Sequence, residues 1–263
     1  MGTEEAIFLP IRQLAERLRT KQLSVIDVVE LFLERLATLG PELNAVVTVT
    51  HARARRQAHA AQAEIDAGRY RGLLHGIPYG AKDLLATAEG IPTTWGAAPF
   101  REQCFDYDAS VIRRLDQAGA ILVGKLAMVE LAGGMGYRQA NASFTGPGIN
   151  PWNRQAWSGG SSSGSGAAVS AGLVPFAIGS ETWGSILSPA ANCGVTGLRP
   201  TYGRVSRYGA MALSWTLDKL GPLALSADDC GIILDAIAGP DPADPSSSGR
   251  RYRYVPHTLP RPP

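Results

Sequence analysis

The chain has 263 residues, of which 45% are hydrophobic and 18% charged, enough for one large or two small globular domains and too apolar for a disordered chain. A net charge of +2 gives no electrostatic footprint for nucleic acid or an acidic surface. Three cysteines, Cys104, Cys193 and Cys230, stand without metal-ligand spacing, so neither a disulfide framework nor a metal site is expected, and the count fits a reducing cytoplasm.

The first ten residues lack the basic-then-apolar order of a signal peptide, and no apolar stretch is long enough to span a membrane. Ile11, Leu14, Ala15 and Leu18 repeat at helical spacing, predicting a short helix over 11–19. Ser24 stands as an N-cap with Asp27 three residues on, ahead of an apolar stripe of Val25, Val28, Val29, Phe32, Leu33 and Leu36 that Gly40-Pro41 closes. Residues 45–50 read as a strand and the Ala-rich 51–67 as a helix, on which Arg53, Arg55 and Arg56 are expected to form a solvated face. Residues 75–85 form an apolar entry with turn residues. A helix over 109–118 and a short buried strand over 120–124 follow, then a Gly/Ser/Asn/Pro-rich stretch over 141–166 and a small-residue helix leading into a strand over 167–178. Alternating helices and short apolar strands predict an α/β fold. The expected organisation is a helical segment over 1–68, an α/β core over 69–238 and a Pro-rich, poorly ordered tail over 239–263.

Ser158 to Gly166 (SGGSSSGSG) has the composition of a flexible linker. It runs directly into apolar core sequence, however, and a second Gly-Ser step, Gly184-Ser185, follows in an apolar setting. A phosphate cradle would need the lysine of GxxxxGK[ST], which is absent. The remaining reading is a nucleophilic serine, which needs a base. Of the four histidines, His51 and His59 fall on the Ala-rich helix, His257 in the tail and His75 before a turn, and none has an evident acidic partner in the sequence. Lysine can serve if burial draws its pKa from about 10.4 toward neutrality, a differential on the order of 4 kcal/mol. Lys82, set in an apolar stretch, fits that need as well as it fits a lysine reaching out from a strand end.

Three motifs together resemble the amidase-signature family: HGIPYGAKD over 75–83, the Gly/Ser loop over 159–165, and GSETWGSILSPA over 179–190, continued by CGVTGLRPTYGRVS over 193–206 and LDKLGP over 217–222. The similarity runs from about residue 5 to about 247. It implies the family's fold, a mixed central sheet flanked by helices, and a Ser–cis-Ser–Lys triad for amide hydrolysis through an acyl-enzyme. Ser185 would be the nucleophile, Ser161 the relay within a cis peptide and Lys82 the base. The backbone N–H groups of Thr182, Trp183, Gly184 and Ser185 would form the oxyanion hole, with no metal or organic cofactor and a small-molecule amide as substrate. The glutaminase component of tRNA-dependent amidotransferases shares these motifs and is the alternative activity. Trp183 stands where most members have glycine, with the acyl pocket as one destination for its ring; Leu187 replaces a common arginine and Ala127 a frequent asparagine. Members of the family run to about twice this length. The resemblance therefore covers an N-terminal half, and it leaves open an inactive fragment, a homo-oligomer or a complementing chain over the absent half.

Overall fold

The computed structural model describes residues 3–133, 139–250 and 252–256. The N-terminal helices follow the sequence pattern. α1 (Ile11–Arg19) buries Ile11, Leu14, Ala15 and Leu18. In α2 (Val25–Thr38) the Ser24 hydroxyl accepts the Asp27 N–H at 3.3 Å, which satisfies one of the orphan donors of the first turn. The stripe from Val25 to Leu36 is buried. After β1 (Val46–Val49), α3 (His51–Asp66) departs from expectation. Arg55 and Arg56 pair with Glu30 and Glu89 at the surface. Arg53 instead is buried and forks onto both oxygens of Asp108 at 2.9 and 2.7 Å. A desolvated guanidinium is tolerable only with such a bidentate partner.

The apolar entry over 75–85 contains a strand, β2 (Pro78–Lys82), buried at every residue. Pro78 and Gly80 give it the look of a turn, but Pro is permitted at a strand's first residue. Gly80 answers a packing need: a Cβ there would run into the side chain of Leu126. α4 (Ser110–Gln117) leads into β3 (Ile121–Leu126), and a small hairpin, β4 (Ile149–Asn150) with β5 (Asn153–Trp157), precedes α5 (Ser163–Ser170). β6 (Phe176–Glu181), α6 (Leu187–Cys193), β7 (Thr196–Gly197), β8 (Lys219–Ala224) and α7 (Ala227–Ile237) complete the elements.

The six-stranded sheet has the order β1-β3-β2-β6-β8-β7. β2 runs parallel to both β3 and β6, while β1, β7 and β8 are antiparallel to their neighbours, so the sheet is mixed as expected. Tyr79 and Phe176, paired in register across β2 and β6, stack with ring centroids 5.3 Å apart at the centre of the core. Among the described residues no helix is long and apolar enough to cross a membrane.

Within the Pro-rich segment expected over 239–263, residues 239–250 turn back on the 203–207 loop, while 251 and 257–263 lie outside the described residues. Ser206 Oγ donates to Asp241 at 2.6 Å, the Arg207 N–H donates to Asp244 at 2.7 Å, and the Ser248 N–H donates to the Gly203 carbonyl at 2.6 Å. Short polar side chains bonding their own and nearby backbone give this Pro-rich stretch its turns.

Candidate active site

The parallel pairing of β2 with β6 fixes the centre of the site. Lys82 is the last residue of β2, and Ser180 and Glu181 are the last residues of β6. Lys82 is fully buried; its Nζ donates to Ser161 Oγ at 2.7 Å and to Ser180 Oγ at 2.9 Å. Burial drives the Lys82 pKa down from 10.5 to about 7, against the smaller opposing pull of the Asp218 and Glu181 carboxylates.

Ser161 is fully buried and follows a cis peptide bond from Gly160. Its carbonyl accepts the Val129 N–H at 3.0 Å, which holds the loop against the segment after β3. The Gly/Ser run is core, not linker: Ser158, Ser161, Ser162 and Ser165 are all buried, and α5 starts inside it at Ser163. Gly164 lets α5 approach β1 and β3, because a Cβ there would strike the Ala45 carbonyl.

Ser185 lies on the turn between β6 and α6 and is 3% exposed. Its carbonyl accepts the Ser162 N–H at 3.2 Å, so the two serine loops are tied backbone to backbone. Among the described residues Ser161 Oγ is bonded to Lys82 Nζ and not to the Ser185 hydroxyl, which a relay would require to come within reach. Catalytic hydrogen bonds are often long without substrate and tighten in the substrate complex.

Sequence reasoning missed the groups that shape this turn. Glu181 is fully buried, and its Oε2 accepts the Ile186 and Leu187 N–H groups, each at 2.9 Å, while Oε1 faces Arg199 Nη1 at 3.3 Å. Thr182 Oγ1 donates to Asp218 at 2.5 Å, and Lys219 Nζ donates to the Thr182 carbonyl at 3.1 Å. The N–H groups of Thr182, Trp183, Gly184 and Ser185 donate to no group among the described residues. They are thus unspent donors on a braced turn, the property an oxyanion site requires. The one available signal was the acidic residue of the 179–190 motif, Glu181, ahead of the nucleophile position.

Two expectations are corrected. The Trp183 ring does not enter a pocket: the residue is 87% exposed, on a turn whose preceding carbonyl, that of Thr182, accepts from Lys219 Nζ. His75 does have an acidic neighbour, Glu64, whose Oε2 is 3.2 Å from Nε2. It lies before the start of β2, at the opposite end of the strand from Lys82, and so cannot act as base for Ser185. His51 and His59 are exposed on α3, and His257 lies outside the described residues.

The amidase family model matches residues 27–259. The chain belongs to the amidase family. The Mycobacterium tuberculosis protein AmiD is 46% identical over 246 residues, covering 93% of this chain and 50% of AmiD. A glutamyl-tRNA(Gln) amidotransferase component from a Marinomonas species is 45% identical over 240 residues, covering 91% of this chain and 48% of that protein. Native peptide amidase from Stenotrophomonas maltophilia superposes with a TM-score of 0.85 at 37% identity, over 93% of this chain and 51% of that enzyme. The chain spans about half the length of the relatives it matches.

Proposed function

We propose that this amidase-family chain hydrolyses a carboxamide through a serine acyl-enzyme, with Lys82 as base, Ser161 as relay and Ser185 as nucleophile. The observation that carries the reading is the buried 2.7 Å contact between Lys82 Nζ and Ser161 Oγ, with the lysine pKa brought to about 7 by burial. At neutral pH a substantial fraction of Lys82 is then unprotonated, and its lone pair can take the Ser161 proton as Ser161 takes that of Ser185. The Ser185 oxygen adds to the amide carbon, and the charge on the carbonyl oxygen meets the free N–H groups of the turn over 182–185. On collapse Ser161 gives its proton to the leaving nitrogen and recovers one from Lys82. The C–N bond breaks, and water cleaves the ester by the same route.

The similarity to an amidotransferase component supports a second reading, release of ammonia from glutamine for a partner protein. Glutaminase assays separate the two readings: ammonia from glutamine, rising when partner proteins are added, would select the second.

The direct test is an alkyl fluorophosphonate, which needs an activated serine but little substrate recognition. Intact mass is expected to show one adduct on the folded wild-type chain and none on Ser185→Ala or Lys82→Met. Absence of the adduct on folded wild type, or its persistence in Ser185→Ala, would overturn the assignment.

A further inference from the structure

A cavity of about 220 Å³ lies beside the relay, with Ser180 and Thr182 in its wall and segment 207–215 opposite. Ser180 is the residue that shares Lys82 Nζ with Ser161, so the cavity adjoins the proposed reacting centre. Most of the surface it offers is apolar: Leu84, Met211, Leu213, Trp215 and Leu220, with alanines between them. Three charged residues also line it, and each is already engaged. Asp218 accepts from Thr182 Oγ1 and from the Leu213 and Ser214 N–H groups. Asp244 accepts from the Arg207 N–H and from Ser246. The Arg207 guanidinium donates to the Trp215 carbonyl, Tyr202 Oη and Ser246 Oγ, while its Nε, without an acceptor among the described residues, sits 3.9 Å from Asp244. A charged ligand group would lose its water here, and the one buried side-chain donor without a partner among the described residues of the wall, Arg207 Nε, already faces the Asp244 carboxylate. An apolar one meets Leu213, 46% exposed, and Trp215, 78% exposed, at the surface.

Size narrows the class. An apolar cavity of about 150 Å³ holds benzene, so this one has room for a phenyl ring and a short linker. The leaving nitrogen must face Ser161, which does not line the cavity, whereas Thr182, one of the oxyanion donors, does. We propose that the cavity receives the substituent on the carbonyl carbon, making the substrates neutral carboxamides with an arylalkyl or similarly bulky apolar acyl group. The placement rests on the catalytic reading above, and it disfavours glutamine, whose α-ammonium and carboxylate would have to enter an apolar site.

Binding can be tested apart from chemistry. Ser185→Ala would be titrated calorimetrically with 3-phenylpropionamide, acetamide and glutamine. Burial of a phenyl group is worth more than tenfold in affinity, so 3-phenylpropionamide is expected to bind at least tenfold more tightly than the other two. Adding Ala212→Phe, which fills the cavity, should remove that advantage. Adding Met211→Ala, which enlarges it, should move the preference toward a naphthyl analogue, and circular dichroism would verify that each variant is folded. Equal affinities, tighter binding of glutamine, or a preference that ignores both variants would overturn the proposal. Discrimination among the amides without fluorophosphonate labelling of wild type would leave the cavity assignment standing and remove the acyl-enzyme reading. Labelling without discrimination would do the reverse.

Discussion

Replacing Lys82 with methionine should stabilise the fold at low pH while abolishing labelling of Ser185. Lys82 has its proton affinity lowered from pKa 10.5 to about 7 by burial. Each tenfold change is about 1.4 kcal/mol, so a protonated Lys82 costs the folded state on the order of 5 kcal/mol. The folded pKa lies below the unfolded one, so between pH 7 and 10.5 the unfolded chain holds the extra proton and stability rises with pH. Below pH 7 both states are protonated and the full cost is present. Methionine fills similar volume without the charge, but it leaves the Ser161 and Ser180 hydroxyls without their shared partner, an offset of about 1–3 kcal/mol. The variant is therefore expected to be more stable than wild type at pH 6 by a few kcal/mol. Its advantage should shrink by about 3 kcal/mol on going to pH 9, the integral over two pH units above 7. Urea unfolding of both proteins at the two pH values measures this difference. The wild-type labelling rate should rise about tenfold per pH unit below 7 and level off above it. A stability difference that does not change with pH, together with a labelling rate flat from pH 6 to 8, would refute a buried, titrating lysine.

Two further substitutions probe the supports of the site. Glu181→Ala should destabilise by about 2–4 kcal/mol and slow labelling at least tenfold, because the buried Ile186 N–H and the part-buried Leu187 N–H lose the acceptor they share; Glu181→Gln, which keeps one acceptor oxygen, should recover more than half of the stability by urea unfolding. Arg53→Ala should cost about 3 kcal/mol by thermal unfolding, since it strands the Asp108 carboxylate; an Arg53→Met, Asp108→Leu double variant that does not regain stability over the single one would contradict that account.

The elements legible in the sequence are those whose burial is one-sided. α1 and α2 each present a single apolar stripe, so helical periodicity and the Ser24 cap locate them. β2 hides because a central strand is buried on both faces and has no alternation, and because Pro78 and Gly80 are turn residues in most settings. Lys82 and Ser185 stand out as polar residues in apolar stretches, whereas Ser161, inside a run of serines and glycines, is picked out only by the family resemblance. Ser180, Glu181 and Asp218 do not stand out, since what they do depends on register between β6 and β8: Glu181 pairs with Lys219, the residue after Asp218. Arg53 misleads for a related reason, as its partner Asp108 is 55 residues away in sequence. The outward Trp183 ring is equally invisible, because a backbone turn and not side-chain chemistry decides where it points.

The Ser162 N–H donates to the Ser185 carbonyl, and this makes one amide proton a gauge of how firmly the two serine loops hold together. The two loops leave different strands and enter different helices. Local opening of either loop would break that bond and let solvent deuterium reach the Ser162 amide. Its exchange rate thus reads how often the two serine loops part, without substrate and without turnover. A ligand that clamps the turn over 182–185 should slow that single exchange event before any chemistry begins.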